Sequence, residues 1–209
     1  MAVNYSQLKI INNVLSKYPT ANLQIVTKNR DIIIVKELIE KGYTLFGENK
    51  VQEAKEKYEN LNLSNLDLHL IGPLQTNKVK VALKLFNTIQ TVDREKLVNE
   101  IVKNQNNFKV KTKNFFIQVN IGREPQKSGI LPENLPKLYN FSLNKKLNIV
   151  GLMCIPPLDK DVRIYFEKMK FLRDSLDKKL KLSMGMSNDY EISLNYGSNL
   201  IRVGSRIFN

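Results

Sequence analysis

The chain has 209 residues, 42% hydrophobic and 25% charged, close to ordinary globular usage; this excludes a disordered or fibrous chain and fits one domain with one core. One cysteine (Cys154) and one histidine (His69) exclude an internal disulfide and a Cys/His zinc site, so no metal is expected. The net charge of +13 invites a nucleic-acid partner. The lysines are spread along predicted helix faces, however (Lys9, Lys17, Lys55, Lys57, Lys80, Lys111, Lys146, Lys168, Lys179), and are read as solvated. No RNP, KH, helix-turn-helix or zinc-finger signature occurs, so no nucleic acid is expected. No apolar run is long enough to span a bilayer and the opening segment has no signal-peptide core, so a cytoplasmic protein without a membrane partner is expected.

In chain order, an amphipathic helix is predicted over residues 5–17, then a strand over 23–28. The next helix opens at Asp31, an N-cap type, and closes at Gly42, a C′ type. Further strands are predicted over 43–46, 66–71, 88–92, 115–121, 149–155, 181–186 and 200–204, with a helix between each pair and a short one from about Tyr190. Eight strands with intervening helices predict an α/β protein: a single (β/α)8 TIM-type barrel with an extra N-terminal helix, one domain over 1–209. An open doubly wound sheet is the alternative.

Polar residues and glycines gather where the strands end: Lys28, Gly47 with Glu48 and Asn49, Gly72, Asp93, Asn120, Cys154, Ser187, and Gly204 with Ser205. In a barrel these positions form the C-terminal mouth, where functional groups sit. Met184-Gly185-Met186-Ser187 and Arg202-Val203-Gly204-Ser205 follow strands seven and eight, where barrels hold phosphate with backbone N–H groups, small hydroxyls and a helix N-terminus. Each Gly-Ser pair alone is a turn signal; their joint placement points to an anion. Lys28 closes the run Leu23-Gln24-Ile25-Val26-Thr27. Its bland reading is a solvated strand-end lysine among 33 Lys and Arg. Its functional reading is a Schiff-base amine, aided by desolvation or by positive charge such as Arg202 on the neighbouring strand. His69 reads as a hydrogen-bonded core histidine, Cys154 as a small buried hydrophobe and Asp93, before Arg94, as an N-cap. Lys78 is open between an anion contact and a solvated lysine.

Several long blocks resemble, in order, those of the pyridoxal phosphate homeostasis family, related to the alanine racemase N-terminal barrel. Phe46-Gly47-Glu48-Asn49 leading to Gln52-Glu53 is similar to its FGEN-x-x-QE block, and His69-Leu70-Ile71-Gly72-Pro73-Leu74-Gln75-Thr76-Asn77-Lys78 to its H-x-IG-x-LQ-x-NK block. Gln118-Val119-Asn120-Ile121, Lys127-Ser128-Gly129, Gly151-Leu152-Met153, Ser183 to Ser187 with Asp189, and Arg202-Val203-Gly204 leading to Ile207-Phe208 also match. Thr27 and Ser205 stand where the family commonly has serine and threonine, keeping a hydroxyl at each place, and the chain stops at Asn209 where the family continues.

The resemblance implies pyridoxal 5′-phosphate (PLP) as cofactor, held as a Schiff base by Lys28. It implies phosphate contacts from Ser187, the Gly204 and Ser205 amides and the Ser205 hydroxyl, Asn49 near the ring, Arg202 at the ring nitrogen, and Met186 as a further cofactor-binding residue. A guanidinium accepts no proton, so it would leave that nitrogen unprotonated and weaken the cofactor as an electron sink. Racemases sharing the barrel add a second domain with a tyrosine acid/base, for which residues are lacking after strand eight. The expected function is therefore vitamin B6 homeostasis without robust catalysis, by a monomer that binds the small-molecule cofactor and passes it to PLP-dependent apo-enzymes. The alternative is a racemase-like enzyme acting on amino acids, with His69, Tyr190 or Tyr196 as proton donor.

Overall fold

The computed structural model describes residues 2–107, 110–157 and 160–208; Asn209 lies outside them. Eight parallel strands close into a barrel in sequence order: β1 (Asn22–Val26), β2 (Leu45–Glu48), β3 (Asp67–Leu70), β4 (Thr88–Val92), β5 (Asn114–Val119), β6 (Ile149–Cys154), β7 (Lys181–Met186) and β8 (Leu200–Val203). Closure is made by β1 against β8, with Asn22 opposite Leu200 and Gln24 opposite Arg202. The open-sheet alternative is thereby excluded.

Both faces of the strands are covered: every residue of β4 is buried, its polar Thr88, Gln90 and Thr91 included, as a parallel strand beneath a helix layer requires. Helices α2 (Ile32–Glu40), α3 (Val51–Tyr58), α4 (Val79–Leu85), α5 (Glu95–Asn107), α6 (Leu135–Asn144), α7 (Val162–Leu176) and α8 (Tyr190–Asn195) follow β1 to β7 in turn. α2 shows why such segments are helical. The Asp31 side chain accepts from the Ile33 N–H at 2.8 Å, and Val35 and Leu38 fall on one buried face, each stabilising by about 2 kcal/mol. Gly42 then ends it at φ +85°, a left-handed turn that a side chain would strain.

The extra helix, α1 (Tyr5–Leu15), is capped by Asn4 and buries Leu8 and Ile11. It lies against β1 and is tied to the end of the chain by Val3 paired with Phe208 and by the Asn4 N–H donating to the Ile207 carbonyl. It occupies the place of a helix after β8. Among the described residues no helix is long and apolar enough to cross a membrane.

Six of the eight predicted strands shift at an end by one or two residues, and two of these shifts bear on the strand-end cavity. β1 stops at Val26, so Thr27 and Lys28 begin the loop. β2 runs two residues further along the chain than predicted, taking in Gly47 and Glu48. A charged residue in a barrel strand reads as loop; here Glu48 is fully buried and bonded to Lys57 of α3.

Candidate functional site

The strand ends surround a cavity of about 440 Å³, within the range that holds small ligands. All seven sequence-predicted site residues line it: Lys28, Asn49, Met186, Ser187, Arg202, Gly204 and Ser205. They reach it because parallel strands deliver their C-terminal ends to one face.

Lys28 is exposed at the cavity, and both its neighbours are clamped from below. Thr27 Oγ1 donates to Glu48 Oε1 at 2.7 Å and accepts from the Tyr58 hydroxyl at 3.0 Å. The Asn29 N–H donates to Glu53 Oε1 at 2.5 Å, and Asn29 takes a left-handed φ of 57°, which asparagine tolerates better than most residues. Lys57 joins the two sides. Its ammonium donates to the Thr27 carbonyl at 2.7 Å, Glu48 Oε1 at 2.8 Å and Glu53 Oε1 at 3.2 Å, so its three protons have three acceptors.

The two carboxylates on this ammonium are shifted in opposite directions. Burial pushes the Glu48 carboxyl up, against the pull of Lys57 and Thr27, and its Oε2 has no hydrogen-bond partner. Burial would also raise Glu53, but the Asn29 N–H and Lys57 together hold it below the usual carboxylate range. The Tyr58 phenol is held high by burial and by Glu48. Lys57, read from sequence as solvated, is in fact a buried ion-pair residue with a side chain 7% exposed. Its helical spacing from Glu53, four residues earlier, was the available signal.

Arg202 forms the cavity floor at 3% exposure. Its Nη1 donates to Ser183 Oγ at 2.8 Å and its Nη2 to the Cys154 carbonyl at 2.7 Å. Burial lowers its pKa, while Cys154 and Asp189 act the other way. Burial pushes the Cys154 thiol up to about 12, consistent with its reading as a small core residue.

At the ends of β7 and β8 the Ser205 hydroxyl donates to Ser187 Oγ at 3.0 Å, and Arg206 donates to the Ser187 carbonyl at 3.1 Å, binding the two strand ends together. Asp189 does not cap α8 with its side chain; its Oδ1 accepts from the Met186 N–H at 2.6 Å, and burial raises its pKa. Asn49 is brought in by the close passage of Gly72, where a Cβ would lie 2.0 Å from the Asn49 carbonyl oxygen.

Gln118, Asn120 and Lys127 also line the cavity and had been assigned no role. Lys127 pairs with Glu124 at 2.5 Å and donates to the Pro156 carbonyl at 3.0 Å. The Lys127-Ser128-Gly129 block after β5 was the signal for this wall. Lys78 ends a 3-10 turn and does not line the cavity. Asp93 accepts from the neighbouring Arg94 guanidinium, and Arg94 is the residue directly before α5, so the predicted N-cap role of Asp93 is not the one seen.

None of the three proton-donor candidates reaches this cavity. Tyr190 is 1% exposed within the apolar core, and the Tyr196 ring packs with Phe166 at 6.4 Å between centroids. His69 lines a different cavity at the N-terminal mouth and is, as expected, a hydrogen-bonded core histidine, with Nδ1 2.8 Å from Gln90 Nε2.

Barrel, helix order and polar mouth define a class: residues 7–209 match the family model described as "Alanine racemase, N-terminal domain". An alanine racemase from Clostridium difficile 630 shares the fold, with a TM-score of 0.74 at 16% identity, over 98% of this chain and 57% of that one. Closer relatives narrow the class. The pyridoxal phosphate homeostasis protein of Aquifex aeolicus is 39% identical over 84% of this chain and 80% of its own length, and that of Haemophilus influenzae is 36% identical over 90% and 84%. PipY of Synechococcus elongatus PCC7942, solved without PLP, superposes with a TM-score of 0.88 at 31% identity, covering 98% of this chain and 99% of PipY. The same protein with PLP bound gives 0.81 at 29%, with the same coverage. The chain belongs to the pyridoxal phosphate homeostasis protein family.

Proposed function

We propose that the protein binds PLP at the C-terminal mouth, with Lys28 as the point of covalent attachment, and serves vitamin B6 homeostasis by holding the cofactor and passing it on. One observation carries this reading: one small cavity is lined by a primary amine, two hydroxyls, a glycine turn and a buried guanidinium, brought together because β8 closes the barrel against β1. The names of its relatives and the PLP-bound structure of PipY support the same ligand.

When bound, PLP supplies an aldehyde that condenses with a primary amine and a phosphate that demands several donors. The donor set of the cavity fits both demands. Lys28 offers the amine, and the clamps on Thr27 and Asn29 fix the backbone from which it projects. Ser187, Gly204 and Ser205 provide hydroxyl and main-chain donors at the strand ends where (β/α)8 barrels hold phosphate, with Met186 and Asn49 lining the same cavity. Arg202 presents donors only, so it orients a ring acceptor without protonating it.

A carrier that keeps its charge-stabilising group unable to release or take a proton is suited to storage more than to turnover. Release then occurs by exchange with another amine, including a lysine of a PLP-dependent apo-enzyme, and needs only one copy of this chain. The test is a PLP titration followed in the visible region. Wild type is expected to develop a band that Lys28→Ala lacks; a variant with the same band overturns the assignment of Lys28.

A further inference from the structure

The interior of a (β/α)8 barrel is ordinarily filled by bulky branched side chains, and a buried amide is unfavourable unless fully bonded. This barrel instead places Gln24 (β1), His69 (β3), Gln90 (β4), Ser183 (β7) and Arg202 (β8) inside, three of them with no exposure and the others at 4% and 3%. They form one connected chain. Arg202 Nη1 meets Ser183 Oγ at 2.8 Å, and Ser183 Oγ meets Gln90 Oε1 at 2.6 Å. Gln90 Nε2 lies 3.1 Å from Gln24 Oε1 and 2.8 Å from His69 Nδ1.

The direction of every bond follows from the two ends. A guanidinium only donates, so Ser183 accepts from Arg202 and spends its single proton on Gln90, which must present its carbonyl oxygen there. From the other side, the Phe46 carbonyl only accepts. Gln24 therefore turns its amide nitrogen to Phe46, at 3.2 Å, and its oxygen to Gln90, which must answer with its amide nitrogen. Both constraints set Gln90 the same way round, and His69 Nδ1, facing that nitrogen, is left as an acceptor. Its proton then sits on Nε2, 3.0 Å from Asp67 Oδ1 at the N-terminal mouth. That contact does not have the geometry of a formed hydrogen bond; burial would raise the Asp67 carboxyl, but His69, Lys111 and Lys181 together hold it below its usual range.

We propose that Gln90 and His69 are positioning residues for Arg202, acting through a one-way hydrogen-bond chain that crosses the barrel from the cofactor mouth to the opposite mouth. The proposal rests on reading Arg202 as a cofactor contact. The chain explains why the interior is polar: it gives the guanidinium a fixed acceptor without a carboxylate that would neutralise it.

His69 is the only histidine, so long-range 1H–15N correlation on imidazole-labelled protein gives one spin system. In the cofactor-free wild type, Nε2 is expected to carry the proton and Nδ1 to be bare; a proton on Nδ1 overturns the chain. Gln90→Glu offers His69 only acceptors, so Nδ1 is expected to become protonated, and an unchanged pattern in the folded variant also overturns it. The second readout is the bound cofactor. Gln90→Leu is expected to move the visible band of PLP and weaken its binding about fivefold, as loss of one net hydrogen bond would, while His69→Gln, which keeps an acceptor, stays within about twofold. If Gln90→Leu matches wild type in both, Gln90 does not position Arg202. A wild type that binds no PLP would defeat the functional reading and leave the tautomer result standing, so the two failures are distinguishable.

Discussion

Lys28 and Arg202 line the same cavity, yet the fold secures them by opposite means. Beneath Lys28 lies an ionic network of Glu48, Lys57 and Glu53 that grips the backbone on either side of the lysine and leaves its own side chain exposed. Around Arg202 the supports are neutral: a hydroxyl and a carbonyl grip the side chain itself, and two amides stand behind the hydroxyl. The difference matches the roles proposed for the two residues. A residue that forms and breaks a covalent bond needs a fixed root and a free tip. A residue that orients a ring needs a fixed tip.

The two supports should therefore break differently. The largest effect is expected from Lys57→Met, which strands Glu48 at 0% exposure and should destabilise the fold by about 3 kcal/mol at pH 7 in urea unfolding. The sign of its pH dependence follows from Glu48. A carboxyl whose folded pKa is raised favours the folded state below its unfolded value and loses that stability as pH rises through the folded value. The gap between wild type and Lys57→Met should thus narrow as pH falls from 7 toward 5. A gap independent of pH would mean that Glu48 carries no stranded charge.

Ser183→Ala tests the neutral side. It leaves Gln90 Oε1 and one Arg202 N–H without their shared partner and is expected to remove about 2 kcal/mol of stability, with little change of the loss between pH 5 and 7. A pH dependence like that of Lys57→Met would erase the contrast between the two walls. The smallest effect concerns Cys154. With its thiol pushed up to about 12 by full burial, it should resist a thiol reagent at pH 8 in the folded protein and react once in urea. Rapid reaction in the folded state would show that the Arg202 floor is open to solvent.

Much of this was legible from residue order, and the remainder was hidden for physical reasons. β4 and β7 fall where the sequence predicts them, because β-branched residues dominate β4 and turn or loop residues bound both. Asp31 and Gly42 announced α2 by local chemistry alone. The seven cavity residues were found because each lies at or just past a strand end, a position the chain order reveals. β2 was misplaced because Glu48 and its counter-ion Lys57 lie on different elements, and a charge looks solvated until its partner is known. Gln24 and Gln90 gave no sign at all. They stand 66 residues apart, Gln90 stands 93 from Ser183, and only barrel closure makes them neighbours.

The central claim, that Lys28 rather than any other lysine carries the cofactor, is tested most directly by loading the wild-type protein with PLP, reducing it with borohydride and mapping the pyridoxyl group by peptide mass. A single reduced adduct on Lys28 is expected. An adduct on Lys127 or on dispersed surface lysines with Lys28 unmodified, or no adduct on any lysine, would contradict it.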